Sequence, residues 1–540
     1  MATPKSSNKP RDEEEFRTRS GIPVKEVYTP SDLKDWDYGE QLSSPGEYPF
    51  TRGINAASQR VQWLIGQYFG FGTGKSTNEF LKYVITQGAQ QLVIAFDLPT
   101  QCGYDSNHTM AHGEVGRIGV AIDSLQDVRS IFEGIPLEGK RISPGGNNAT
   151  GPIVLAWMLA LCEENGVPPE KVLFTYQNDP LKEFISRGAY IFPPRQAVKF
   201  AVDVVEYCHR KGFELTKPIL FCGYHLREGG ASITQAMAFT LANAVAYLDE
   251  LQSRGIRVND WVGRPSVFLT GGLDFFEEIA AQRAFRRMWA KVMKERYNCQ
   301  KPQHLGAFLF EYTMGSRLTA QQPLNNIVRC TIAAMAAIIG GANGLCVSSY
   351  DEALGLPSPE ALRVAVRTQQ IIADESGVTN TVDPLAGSYY VESLTDEIEE
   401  RATALFEQVQ KMGGALQAIE SGFYQREITR SAHQDLKDLE SGRRVVVGVN
   451  KYQVADEKHF KPMKISFAEE KRQIQRLNKL KRTRDNNQVQ RSLEKVKEAA
   501  IAEVNLVDPI LGAVKSYATL GEICDVLSEL WGRYEQGGVI

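Results

Sequence analysis

Apolar and polar positions alternate in blocks along most of this 540-residue chain. Short apolar runs that read as buried strands fall at 92–98, 172–176, 219–222, 267–270, 307–310 and 344–347, with a weaker one at 141–143. Between them apolar positions recur at helical spacing over 124–132, 150–165, 195–211, 232–254, 275–297 and 324–339. The units follow one another every roughly 35–50 residues, as expected of βα units in a parallel sheet. Seven or eight such units predict an α/β protein built on a closed (β/α)8 TIM barrel. A doubly wound sheet is the competing arrangement.

The pattern changes at both ends of the chain. Residues 1–40 are charge-rich and then carry Gly21-Ile22-Pro23 and Thr29-Pro30, which predicts an extended N-terminal arm. After residue 390 strand signals mostly stop, and 395–440 and 465–505 read as long polar helices. The expected organisation is an arm over 1–40, a substrate-binding barrel over 41–395 and a mainly helical region over 396–540. The basic stretch 471–484 reads as a solvated or subunit-facing helix.

The strand ends carry the chemistry. The run Phe221-Cys222-Gly223-Tyr224-His225-Leu226-Arg227-Glu228 passes abruptly from an apolar strand to an aromatic, a histidine, an arginine and a glutamate. Charged groups at the C-terminal end of a buried parallel strand are costly unless they face a ligand. Other ends read Asp97-Leu98-Pro99-Thr100-Gln101, Gln177-Asn178-Asp179, Thr270-Gly271-Gly272, Glu311-Tyr312 and Ser348-Ser349-Tyr350-Asp351-Glu352. One such end is ordinary loop chemistry; six together predict a functional rim.

Bulk composition excludes more than it suggests. With 43% apolar residues and a net charge of −4, nothing points to nucleic acid or an anionic membrane. No long apolar run is free of charge, so no membrane span is expected, and the polar N-terminus predicts a cytoplasmic protein. Eight cysteines without Cys-x-x-Cys spacing predict reduced, mostly buried thiols, and seven isolated histidines predict no metal cluster. Gly70-Phe71-Gly72-Thr73-Gly74-Lys75-Ser76-Thr77 imitates a phosphate-binding loop. It has three residues, not four, between Gly70 and the Gly-Lys pair, so a nucleotide is not expected there.

Longer motifs carry a family resemblance. Among them are Ser20-Gly21-Ile22-Pro23-Val24-Lys25, Gln67-Tyr68-Phe69-Gly70-Phe71, Ala95-Phe96-Asp97-Leu98-Pro99-Thr100 and Gln177-Asn178-Asp179. Further along come Tyr190-Ile191-Phe192-Pro193-Pro194, Gly223-Tyr224-His225, Asp351-Glu352-Ala353-Leu354 and Gly448-Val449-Asn450-Lys451-Tyr452. From about Ser20 to Tyr452 the chain resembles the large catalytic subunit of the adenosylcobalamin-dependent acyl-CoA mutases, the methylmalonyl-CoA mutase family. That resemblance implies a (β/α)8 barrel and a radical 1,2-migration of a thioester group, with adenosylcobalamin as cofactor. The family's Asp-x-His-x-x-Gly cobalt-ligand motif does not occur here. The resemblance therefore implies a separate small cobalamin-binding subunit, in a heterodimer or heterotetramer.

Roles follow from the resemblance residue by residue. His225 donates a hydrogen bond to the migrating thioester carbonyl, and Tyr68 presses on the deoxyadenosyl group. Arg187 holds a substrate carboxylate, and Gln177 is a partner at the thioester. Glu228 and Glu352 lie near the adenosyl ribose and corrin. Ala95, Leu98, Gln101, Gly315 and Ala353 form the corrin-facing surface. Branches acting on monocarboxylic acyl groups typically replace the arginine with glutamine, and the hydroxyacyl branch has aspartate where this chain has Ala95. The implied substrate therefore carries a second carboxylate, as in a substituted succinyl-CoA or malonyl-CoA. Several positions depart from the family. Ala57-Ser58-Gln59-Arg60, Val61-Gln62-Trp63 and Leu64-Ile65-Gly66 replace residues that usually touch CoA. Phe310-Glu311-Tyr312 replaces His-Ser-Gln, and Asn343 replaces a pocket glutamine. An aryl- or alkylsuccinyl-CoA such as phenylsuccinyl-CoA is the alternative that these aromatics suggest. A cobalamin-independent lyase or hydrolase using His225 with Glu228, and a non-catalytic scaffold, are the readings from other classes.

Overall fold

The computed structural model describes residues 16–145, 149–261, 265–454 and 467–535. Eight parallel strands form one sheet: β1 Leu64–Phe69, β2 Gln91–Ala95, β3 Arg141–Gly145, β4 Leu173–Phe174, β5 Leu220–Cys222, β6 Ser266–Gly271, β7 Phe308–Thr313 and β8 Gly344–Cys346. Their order is β4-β3-β2-β1-β8-β7-β6-β5. At the seam, Thr175 and Lys217 form a parallel bridge, and the Tyr176 amide donates to the Lys217 carbonyl at 2.9 Å. The sheet is thus curled in the manner of a TIM-like barrel.

One helix of two turns or more follows each strand. They are α1 Gly74–Thr86, α2 Leu125–Phe132, α3 Gly151–Glu164, α4 Pro194–Lys211, α5 Ile233–Ser253, α6 Phe275–Glu295, α7 Asn325–Gly340 and α8 Pro359–Asp374. Six of the eight lie where helical periodicity predicted them, and the ends are set by local chemistry. Ser232 closes a capping box at the start of α5, and Gly212 and Gly341 end α4 and α7 in left-handed conformation. The first βα unit escaped the sequence pattern. β1 holds Gly66 and the buried Gln67, which break an apolar run, so the alternation starts near residue 64 rather than 90. Gly70 follows it because a Cβ there would lie 2.3 Å from the Ala95 carbonyl oxygen.

Beyond α8 the chain is helical, through α9 Tyr389–Lys411, α10 Ala415–Glu420, α11 Phe423–Glu440, α12 Phe467–Thr483, α13 Asn486–Ile501, α14 Val507–Lys515 and α15 Leu520–Trp531. These helices share the apolar core of the sheet. Leu394, Ile398 and Tyr424 pack with α5 and α6, and Val496, Ile510 and Ile523 pack with α3. The basic helix α12 is not solvated all round. Its Gln473 and Leu477 are buried, Gln473 donates to Asp123 at 2.8 Å, and Lys481 bonds Asp105 at 2.7 Å. Of the expected arm, residues 1–15 lie outside the described residues. From Phe16 the chain makes tight turns against the body, including an antiparallel bridge from Arg17 to Pro23 and a bond from the Arg19 amide to Asp274. Among the described residues no helix is long and apolar enough to cross a membrane, and all eight cysteines are free, seven of them buried.

Candidate active site

Side chains alternate along a strand, so β7 sends Phe308, Phe310 and Tyr312 to one face and Leu309, Glu311 and Thr313 to the other. The first set points into the sheet's interior. There Phe310 and Tyr312 join Val93, Leu220, Cys222, Tyr224, Phe268 and Cys346 in one apolar cluster with Tyr68 beside it. The rings form a continuous wall. Tyr224 stacks on Phe268 at 4.7 Å and on Tyr312 at 5.3 Å, while Tyr68 meets Tyr312 at 5.9 Å and Phe310 meets Phe268 at 5.4 Å. The wall encloses a cavity of about 460 Å³, within the range of small-molecule sites.

Ten of the residues singled out by sequence line this cavity: Tyr68, Ala95, Gln177, Arg187, His225, Glu228, Phe310, Tyr312, Gly315 and Glu352. Four do not. Leu98 and Ala353 are exposed at the ends of β2 and β8, and Gln101 is buried with its amide donating to the Phe96 carbonyl at 2.6 Å. Asn343 sits at the opposite, N-terminal end of β8, where its side chain accepts from the Leu309 amide at 2.9 Å. Glu311, on the outward face, is buried between strand and helices; burial pushes its pKa well up, with Glu278 adding to the effect.

The polar rim divides into stitching and cavity-facing residues. Asp97 caps the turn after β2 and accepts from the Gly116 amide at 2.7 Å. Asn178, at φ 37°, donates to the carbonyls of Ala201 and Pro218, and Asp179 accepts from the Cys222 amide and the Tyr247 hydroxyl. Of that motif only Gln177 reaches the cavity.

A buried charge cluster stands beside the aromatic wall. His225 is the second residue of the one-turn helix Tyr224–Glu228 that follows β5, and Arg187 ends the turn Glu183–Arg187 after β4. Glu183 is wholly buried and shared by two cations: Arg187 at 3.2 Å and Lys182 at 3.3 Å. Its other oxygen accepts from the Ala189 amide at 3.1 Å. Burial lowers the His225 pKa well below its ordinary value, and the charges of Lys182 and Arg187 push the same way, so the ring is neutral. Spacing along the chain gives no sign of the contact between Lys182 and His225, which is tertiary.

At the mouth of the cavity two carboxylates are held differently. Glu228 accepts from the amides of Gly315 and Ser316 at 2.9 and 3.1 Å. Glu352 presses against Gly315, where a Cβ would lie 2.1 Å from its oxygen, and accepts from the Tyr312 hydroxyl at 3.3 Å. Burial raises the Glu352 pKa to about 7; Ser348 opposes the shift and Glu228 adds to it. The loop that imitates a phosphate site is filled by the chain itself. Glu469 of α12 accepts from the Ser76 hydroxyl at 3.1 Å, close against Gly72.

Comparison with known proteins bears on this site. A family model described as methylmalonyl-CoA mutase matches residues 17–533. The 2-hydroxyisobutanoyl-CoA mutase large subunit of Aquincola tertiaricarbonis is 39% identical over 533 residues, 98% of this chain and 94% of its own length. The methylmalonyl-CoA mutase of Cereibacter sphaeroides is 40% identical over 521 residues, 96% of this chain and 73% of its own length. That of Escherichia coli K12 is 39% identical, and this chain spans 72% of it.

Proposed function

Because the chain belongs to the methylmalonyl-CoA mutase family, and is thus a carbon-skeleton acyl-CoA mutase and an isomerase, we propose that it interconverts a substituted succinyl-CoA and a malonyl-CoA. The observation that carries the reading is the meeting of His225 and Arg187 in one aromatic-walled cavity. Arg187 lines the cavity and shares Glu183 with Lys182, and a guanidinium grips a carboxylate in a fixed orientation. His225 donates to the thioester carbonyl as charge builds on it, a contact that strengthens in the transition state. The aromatic wall excludes water from the reacting carbons.

The rim fits adenosylcobalamin. The exposed apolar side chains Leu98 and Ile118, 36% and 53% exposed, offer a surface for a flat group. The buried Gln101 Oε1 has no partner among the described residues and can accept from an amide. Glu228, Glu352, Ala95, Leu98, Gln101, Gly315, Ala353 and Tyr68 are the residues that would hold the cofactor. When bound, it supplies the radical chemistry. A small cobalamin-binding subunit is the partner we infer, in line with relatives named as large subunits. The sheet then serves as a closed (β/α)8 barrel around the substrate.

Phe310 and Tyr312 favour a second, narrower reading, a bulkier aryl- or alkylsuccinyl-CoA. Their rings and the 460 Å³ cavity give an apolar substituent a place to be buried, at about 25 cal/mol per Å². The test is turnover of isobutyryl-, 2-hydroxyisobutyryl-, methylmalonyl- and phenylsuccinyl-CoA by the chain with adenosylcobalamin and a small subunit. Only dicarboxylic substrates are expected to react, and Arg187→Gln is expected to weaken their binding by about 3–5 kcal/mol. Fast isobutyryl-CoA turnover overturns the role of Arg187. Turnover without cobalamin overturns the mutase mechanism in favour of a lyase or hydrolase.

A further inference from the structure

Behind His225 lies a lysine that the mechanism leaves unused. Lys182 is wholly buried and does not line the cavity. Its Nζ stands 2.5 Å from His225 Nδ1 and 3.3 Å from Glu183 Oε1. The Cys222 sulfur lies 3.2 Å from the same ring nitrogen. The charged and titratable groups around this contact are Asp179 from the end of β4, Glu183 and Arg187 from the following turn, and Cys222 from β5.

Three facts fix the direction of the bond. An ammonium has three donors and no lone pair, so a ring nitrogen in contact with it is the acceptor. Burial lowers the Lys182 pKa and Arg187 adds to the shift, while Cys222, Glu183 and Asp179 oppose the loss of its proton, and Glu183 pairs with it at 3.3 Å. The Cys222 thiol keeps its proton too, since burial pushes it up to about 11, and its sulfur stands 3.2 Å from Nδ1. A neutral imidazole carries one proton; with Nδ1 accepting, that proton is on Nε2. The rest of the ring is held edge-on between Tyr224 at 5.1 Å and Phe268 at 6.1 Å, and its accessible part faces the cavity.

We propose that Lys182 is a positioning residue that locks His225 in the Nε2–H tautomer, so that the ring presents a donor, not an acceptor, to the cavity. The consequence for turnover rests on the mutase reading above; the tautomer itself does not. The analogous loss of an orienting group behind a catalytic histidine, which leaves the geometry intact but the tautomer wrong, is costly in other enzymes.

The experiment reads the tautomer directly, by ¹⁵N–¹H correlation spectra of the full-length chain labelled at histidine, without substrate, cofactor or partner. The His225 signal is assigned by its loss in His225→Gln. The wild-type chain is expected to show a protonated Nε2 and an unprotonated Nδ1. A protonated Nδ1 in the wild-type chain overturns the proposal, whether or not any variant folds. Lys182→Met keeps the volume and removes the donor; it is expected to give a mixed or Nδ1–H population, and an unchanged spectrum overturns the lock. In the reconstituted enzyme Lys182→Met should lower kcat by about 10- to 1000-fold with KM changed less than about threefold. An equal loss in both, with normal tautomer, would mark Lys182 as merely structural.

Discussion

Two clusters of buried charge in this molecule have opposite character. On α6, Arg283, Arg286 and Arg287 share one face and reach towards α9 and the loop before it. Arg283 is bracketed by Asp383 and by Glu392, the latter at 2.5 Å. Arg287 meets Asp396 at 2.6 Å and Glu399 at 2.9 Å, and Arg286 donates to the backbone carbonyls of Phe50, Thr51, Gly340 and Gly341. Each of these three arginines meets carboxylates or backbone carbonyls, with Arg52 sharing Asp383 and Lys291 sharing Glu399. Beside the cavity, Glu183 answers both Lys182 and Arg187, and a neutral imidazole is pressed against an ammonium. The first arrangement pairs side chains of two elements and ties a helix in place. In the second, Lys182 and Arg187 share Glu183 beside a cavity that Arg187 lines.

The largest effect should come from breaking the arginine cluster. Arg283→Met leaves the buried Glu392 without its cation and Asp383 with Arg52 alone, and should cost about 3–5 kcal/mol of stability in urea unfolding, with kcat per folded molecule unchanged. Stability like that of the wild type would mean the cluster is not what holds α9. His225→Ala should do the reverse. Its kcat should fall by about 10²–10³ while the unfolding midpoint barely moves. If the midpoint falls and the rate does not, the two clusters are of one kind.

A smaller effect sharpens the comparison through pH. The folded-state pKa of Glu352 is raised to about 7 by burial, above that of a free carboxyl, so the folded state holds the proton more tightly. Its contribution to stability is fullest in acid and is lost as pH rises through about 7. Glu352→Gln should therefore flatten that part of the stability profile, measured as urea midpoints from pH 5 to 8. The smallest effect is Tyr312→Phe, which removes one bond to Glu352 and should cost about 1 kcal/mol. A null result would leave the ring's packing, not its hydroxyl, as the reason for its place.

The fold was legible where burial is simple. Strands such as β6 and β8 are apolar throughout and bounded by breakers, and α5 has both its period and its capping box in plain sequence. β1 was not legible, because Gly66 and Gln67 interrupt its apolar run; Gly66 faces the interior, where a Cβ would meet Cys346 and Phe310. At the site, motifs named Tyr68, Arg187 and His225, but they could not separate Gln177, which faces the cavity, from Asn178 and Asp179, which stitch β4 to its neighbours. Asn343 looked like a pocket residue by its place in a motif, yet it bonds the backbone at the far end of β8. Nor could spacing along the chain show that Lys182 meets a histidine 43 residues away.

The pairing of β1 with β8 also sets a timetable for synthesis. Leu64, Ile65 and Gly66 find their partners in Gly344, Leu345 and Cys346, about 280 residues later. At roughly 5–20 residues per second, the first strand emerges from the ribosome with one edge bare for about 15–60 s. A long, wholly apolar strand left open that long is an aggregation hazard. The glycine and glutamine that hid β1 from the apolar pattern make that waiting edge less adhesive. Gln67→Val is then expected to lower the yield of soluble nascent chain in a cell-free translation run without chaperones, even if the finished protein is no less stable.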